Sequence, residues 1–215
     1  GYLKGVREIC DKYGIMMVLD EVMAAWGRTG EWFAFQNWDV MPDMISFAKG
    51  VTCGYVQIGG LIVSKAIAEH FEDNVFLCGL TYSAHLVGCA AGIAAIEEYK
   101  RLDLLNNSKK MGKVMAGLMA DLQAKHPSVG PCRNIGLFGM VEFVNKENGP
   151  LVPYAKDPEG KMKKILGKLR ENGFTTYAHE NMISVSPPLI ITEQQLKEAF
   201  DILDKVCTWV DENLM

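Results

Sequence analysis

Apolar residues at positions 3, 6, 9 and 10 keep helical spacing and stop at Gly14, which predicts a helix over "GYLKGVREICDKYG". "IMMVLDEV" (15–22) follows as an unbroken apolar run closed by two acids. Such a run predicts a strand buried on both faces, as in a parallel sheet covered by helices. "DMISFAK" (43–49) and "GGLIVS" (59–64) predict two further strands, and "KAIAEHFED" (65–73) a short helix. "SAHLVGCAAGIAAIEEYKRL" (83–102) is rich in small and apolar residues and predicts a long, deeply buried helix; the stretch 104–126 predicts another. The texture then changes. "IGLFGMVEFV" (135–144) reads as a strand and "NKENGP" (145–150) as a turn. "EGKMKKILGKLRENG" (159–173) predicts an amphipathic helix with Gly173 at C′. "MISVSPPLI" (182–190) predicts a strand interrupted by two prolines, and 192–214 a last helix with Thr192 as N-cap and Gln195 closing a capping box. Strand and helix alternate up to residue 103, an α/β pattern; residues 104–215 read as a smaller α+β domain.

Composition narrows the classes. Of 215 residues, 49% are apolar, enough for a substantial core, and a net charge of −4 gives no general pull toward nucleic acid or an anionic membrane. No apolar run approaches the roughly 20 residues of a membrane-spanning helix, and no basic start precedes an apolar leader. Cytoplasmic placement is expected. The 6 cysteines form no C-x-x-C pair and read as buried free thiols of a reducing compartment. The 4 histidines lack ligand spacing, so no metal is expected. The chain opens on the middle of a helical pattern, without a capped start.

Two charges stand at awkward places. Asp20 lies at the C-terminal end of a buried strand, where ligands approach open α/β sheets, and Lys49 lies at the end of the next strand. If both strands share one parallel sheet, both side chains reach the same edge. One reading is an ion pair, or two solvated strand-end charges. The other is a pyridoxal phosphate site, in which the lysine amine forms a Schiff base with the cofactor aldehyde and the carboxylate keeps the pyridine nitrogen protonated. Spacing alone leaves both open.

The motifs decide for the second reading. "VLDEV", Gly27-Arg28-Thr29-Gly30, Pro42-Asp43 and Ala48-Lys49-Gly50 together resemble the signature region of class III pyridoxal-phosphate-dependent aminotransferases of fold type I. "TYSAH" (81–85), "RNIGLFGMVEF" (133–143) and "SPPLIIT" (186–192) are similar to later landmarks of that family, so the resemblance spans essentially the whole chain. It implies the later part of the large cofactor-binding domain (1–103), a mostly parallel sheet with helices on both faces, followed by the small C-terminal domain (104–215). It implies Lys49 as the Schiff-base lysine and proton carrier, Asp20 as partner of the ring nitrogen, Val22 packed on one ring face, and Thr81 on the cofactor phosphate across a dimer interface. Without the resemblance, Thr81 reads as a helix N-cap.

Some positions depart from the family pattern. Ala25 precedes Trp26 where glycine is usual, Gln57 stands where proline is frequent, and Leu86 follows His85 where proline is usual. "TTYAHENMISVSPPL" lacks the arginine with which many members clamp a substrate carboxylate; His179 stands near that place as a candidate substrate contact, or as a plain surface histidine. Family members are roughly twice this length, and the glycine- and serine-rich phosphate loop and the second ring-stacking aromatic belong to the half not seen here. The resemblance implies a homodimer with shared active sites, and an N-terminal half, covalent or separate, needed for activity. The implied reaction moves an amino group from a primary amine or ω-amino acid to a 2-oxo acid, pyruvate by likeness. A biotin-pathway aminotransferase, an aminomutase or a non-catalytic fragment that only dimerises are the alternatives.

Overall fold

The computed structural model describes residues 1–154 and 156–215. Contacts divide the chain into two units, Gly1–Leu105 and Asn106–Met215.

The first unit opens with α1 (Tyr2–Tyr13), which ends where Gly14 takes φ 65, the left-handed conformation that glycine adopts without penalty. Three strands follow: β1 (Val18–Asp20), β2 (Met44–Phe47) and β3 (Gly60–Val63). β1 and β2 are parallel, with Asp20 opposite Ser46. β3 returns antiparallel along β2, from Met44↔Val63 to Phe47↔Gly60. The mostly parallel sheet expected from sequence therefore has one parallel and one antiparallel pair here. The reason is the connection 48–59, which carries only a short 3-10 turn and no crossover helix that a parallel return needs. A second 3-10 turn spans Ala34–Trp38. Then come α2 (Lys65–Asp73) and α3 (Leu86–Arg101).

Burial in this unit departs from expectation. Val18 is 53% exposed, Leu86 83% and Ile93 60%; of α3 only Gly88, Gly92 and Tyr99 are buried. The helix predicted as deeply buried and the strand predicted as covered on both faces each present apolar side chains to solvent within this chain. Of the cysteines, all are free thiols, but only Cys10 and Cys207 are buried.

The second unit is self-covering. α4 (Leu104–Lys125) leads into a four-stranded antiparallel sheet of order β4-β5-β7-β6, made of β4 (Val129–Ile135), β5 (Phe138–Phe143), β6 (Ala178–His179) and β7 (Met182–Val185). α5 (Lys161–Glu171) and α6 (Glu193–Asn213) complete it. Phe143, Met115, Leu137, Ile165, Leu169, Ile183, Leu196 and Val210 are almost wholly buried. α4 approaches the β4–β5 turn so closely that a Cβ on Gly112 would lie 2.6 Å from Gly136 backbone atoms. His126, 3% exposed, is held between two α6 carboxylates, with Nδ1 2.7 Å from Asp211 Oδ2 and Nε2 3.0 Å from Asp204 Oδ1. Lys125 Nζ donates to both Asp204 oxygens at 2.6 Å. Lys125 first, and His126 after it, hold the Asp204 carboxyl below its ordinary range. Among the described residues no helix is long and apolar enough to cross a membrane, and no cluster of three metal-ligating side chains occurs.

Candidate functional site

The parallel pairing of β1 and β2 brings Asp20 and Lys49 to one sheet edge. Asp20 is the last residue of β1, and its register partner Ser46 is followed two residues after by Ala48, which leads into Lys49. Asp20 Oδ1 accepts from Val22 N at 3.0 Å. That bond fixes the carboxylate at the strand end through one of its two oxygens. The strand stops at Asp20, so strand alternation does not set the direction of Val22, which lies in the turn that Asp20 caps.

Lys49 opens the 3-10 turn Lys49–Val51 with φ 47. A lysine adopts this left-handed conformation only where its surroundings hold it. They do so from several sides. Gly50 is pressed against Trp26, whose Cβ would lie 2.7 Å from a Cβ at that position, so only glycine fits. Trp26 in turn packs on Phe33 and Phe47, both with ring centroids 5.5 Å away. Thr52 Oγ1 donates to Val56 O at 2.5 Å and Tyr99 OH donates to Gly50 O at 2.9 Å.

Beside Lys49 lies a cavity of about 460 Å³ lined by Lys49, Thr52, Gly54, Val56, Gln57, Ile58 and Gly59. A second, about 540 Å³, shares Val56–Gly59 and is otherwise lined by the segment Leu80–His85 and by Gly88. Thr81 lies in that exposed segment but is not itself among the lining residues. Nor does it cap α3: His85 holds the N-cap position, and Ser83 Oγ accepts from Leu80 N at 3.1 Å within the preceding turn.

His179 belongs to the second unit, where it is exposed on β6 and pairs with Met182. A cavity of about 430 Å³ in that unit is lined by Thr176, Tyr177, Ser184 and Ser186 among others, and not by His179.

Three residues of the first unit have a structural place that the sequence reading did not assign to them. Glu21, 3% exposed, accepts from Ala34 N and Phe35 N, both at 2.8 Å, and so ties the end of β1 to the 3-10 turn beyond. Its pairing with Asp20 in "DEV" was the available signal, but an acid that caps a distant turn looks in sequence like any other. Gln57 borders both cavities; its departure from the family pattern was the signal. Tyr99 gave none, being one aromatic on a helix.

Known proteins share this architecture. The aminotransferase class-III family matches residues 1–207. A taurine–pyruvate aminotransferase of Bilophila wadsworthia is 33% identical over 225 residues, covering 99% of this chain and 48% of its own. Among solved structures, the taurine:2-oxoglutarate aminotransferase of Bifidobacterium kashiwanohense, in complex with PLP and glutamate, matches with TM-score 0.97 and 51% identity over 100% of this chain and 48% of that one. A transaminase of the marine bacterium Virgibacillus matches with TM-score 0.90 and 35% identity, covering 100% and 49%. The chain thus spans about half the length of the relatives it matches. Its sheet edge with Asp20 and Lys49, and a family match that runs through both units, make it a member of the class III aminotransferases.

Proposed function

We propose that this chain supplies the lysine-bearing half of a pyridoxal-phosphate-dependent transaminase that moves an amino group from a primary amine or ω-amino acid to a 2-oxo acid. The single observation that carries this reading is the parallel register that puts Asp20 and Lys49 at adjacent strand ends, with Lys49, though not Asp20, lining a cavity of about 460 Å³. The residues suit the cofactor chemically: an amine for its aldehyde, an anion for its ring nitrogen, and an open volume next to the amine. When bound, that cofactor supplies an electron-withdrawing ring able to stabilise negative charge on a substrate carbon.

The chain's own residues then have separate tasks. Asp20 would accept a hydrogen bond from the ring nitrogen and, as an anion, favour its protonated form. Val22 offers an apolar contact for a ring face. Lys49 Nζ would hold the cofactor through its aldehyde and would carry a proton to and from the reacting substrate carbon. Thr81, exposed on the segment before α3, suits a phosphate held by a neighbouring subunit. His179 is the side chain we assign to the substrate's acid group, as a donor without the fork of an arginine. Taurine heads the candidate donors, because two of the matched relatives are named for it; pyruvate and 2-oxoglutarate are the candidate acceptors.

The assembly we propose is a homodimer in which each chain is completed by the N-terminal half of the same fold, working in the cytoplasm. Support comes from the exposed apolar faces of β1 and α3 and from the coverage of about half of each relative. Six free thiols suit a reducing compartment.

The test is made on the whole polypeptide carrying this chain. Borohydride reduction followed by peptide mass analysis should place a pyridoxyl group on Lys49, and Lys49→Ala should lower amine-donor turnover by at least about 10³-fold. Taurine, β-alanine and a diamine are each offered with pyruvate and with 2-oxoglutarate, following the amino acid formed. A protein that stays colourless with added cofactor, or a Lys49→Ala variant that keeps wild-type rates, sinks the reading in favour of a non-catalytic module.

A further inference from the structure

Tyr99 is 4% exposed and sits on α3, 49 positions from the residue it touches. Its hydroxyl donates to Gly50 O at 2.9 Å, the carbonyl immediately after Lys49. The Cys53 thiol reaches the same two groups, 3.6 Å from Gly50 O and 3.5 Å from the Tyr99 oxygen. The Tyr99 ring meets Trp32 edge-on with centroids 5.9 Å apart. Helix α3 is otherwise largely exposed in this chain, so this contact is one of the few that tie it to the lysine turn.

We propose that Tyr99 is a positioning residue for Lys49: its hydrogen bond to the Gly50 carbonyl locks the left-handed turn that carries the lysine to the cavity. This rests on the functional reading above. The turn needs a lock because Lys49 holds φ 47, from which a non-glycine residue relaxes once its neighbours release it. Gly50 against Trp26 blocks one side, and the Tyr99 hydroxyl pins the carbonyl from another. The hydroxyl is suited to a permanent donor. Burial, and then the Cys53 thiol, push its ionisation far above the ordinary tyrosine range, with Arg28 the opposing influence. It therefore stays protonated throughout working pH and acts by geometry. An error of about 1 Å in placing a reacting group can lower a rate by about 10²-fold, so a locked turn has catalytic consequence.

The experiment compares wild type, Tyr99→Phe and Trp32→Phe in the whole polypeptide. Tyr99→Phe keeps the ring and removes the donor; Trp32→Phe trims the same ring cluster and leaves the hydroxyl. Two readouts are taken. Acetic anhydride footprinting of cofactor-stripped protein compares Lys49 with the exposed reference Lys65. Steady-state kinetics with taurine or β-alanine separate kcat from KM. For Tyr99→Phe we expect at least a twofold change in relative Lys49 labelling, a kcat lower by about tenfold, and KM for the amine within twofold. Trp32→Phe should match wild type in Lys49 labelling. Unchanged labelling and kcat in Tyr99→Phe overturn the proposal, and so does a Trp32→Phe variant that reproduces both effects, since packing alone would then explain them. Failure of the functional reading looks different: wild type would carry no pyridoxyl group on Lys49 after borohydride, while the footprint, which needs no cofactor, still reports whether Tyr99 holds the turn.

Discussion

Asp43 shows how one side chain can join three segments. Its Oδ2 accepts from Met17 N and from Arg7 Nη1, both at 2.7 Å, and so ties α1 and the approach to β1 to the start of β2. The Met17 N–H first, and the Arg7 guanidinium after it, hold the Asp43 carboxyl below its ordinary range. A carboxyl depressed in the folded state stabilises the fold above its unfolded value, about 3.9, and loses that contribution as pH falls through the lower folded value. With the carboxylate 32% exposed, solvent screening keeps the effect modest. Asp43→Asn should lower stability at pH 7 by about 1–2 kcal/mol. The gap between variant and wild type should narrow at pH 3, which urea midpoints at the two pH values would show; an equal gap at both would refute the charged contribution. In the sequence Asp43 was visible as part of a family landmark. Its task was not, because Arg7 and Met17 lie 36 and 26 positions away. Tyr99 and Gly50 pose the same difficulty. The strand ends at Asp20 and before Lys49 were legible because an apolar run and the lysine–glycine motif are local signals.

At the scale of elements, what could be read was what a few neighbouring residues decide. Thr192 accepts from Gln195 N at 3.3 Å and Gln195 Oε1 accepts from Thr192 N at 3.0 Å, the reciprocal cap expected for α6. Strand β4 was missed because "VGPCRNI" contains Gly130-Pro131, which reads as a breaker. The structure accommodates the pair by placing β4 at the sheet edge with a register shift between Val129 and Cys132, where a residue without an N–H is tolerated. Helix α4 offers a contrast between two glycines of one element. Gly117 has nothing within 4 Å of a built Cβ, whereas Gly112 would strike Gly136 backbone at 2.6 Å. Gly117→Ala should stabilise by roughly 0.5–1 kcal/mol through helix propensity. Gly112→Ala gains the same propensity but forces the β4–β5 turn away, and should destabilise by about 1–3 kcal/mol. Opposite signs in thermal melts of the two variants are the expected result; equal signs would mean that α4 and the turn are not in close contact.

At the scale of the whole molecule, the two units differ in what they can bury. In Asn106–Met215 the apolar positions of α4, α5, α6 and the sheet converge on one core, with Leu137, Val141, Ile165 and Ile183 wholly shielded. In Gly1–Leu105 the pattern asks for burial that this chain alone does not supply. The expectation that β1 and α3 would be covered was drawn from their apolar composition, and within this chain both present apolar side chains to solvent instead. In the assembly proposed above, the N-terminal half of the fold would do the covering. Cooperative stability follows buried apolar contact, so amide exchange should divide along the same line. In the chain of 215 residues taken alone, slow exchange should be confined to the second unit. The amides of β1, β2 and α3 should exchange at least about 10²-fold faster than those of β5 and β7. In the whole polypeptide, with the first half of the class III fold present, the amides of β1 and β2 should slow toward the values of the second unit, and the turn at Lys49 should slow with them. Equally slow exchange in both units of the isolated chain would show that β1 and α3 are stable as they stand, and would remove the need for a covering half.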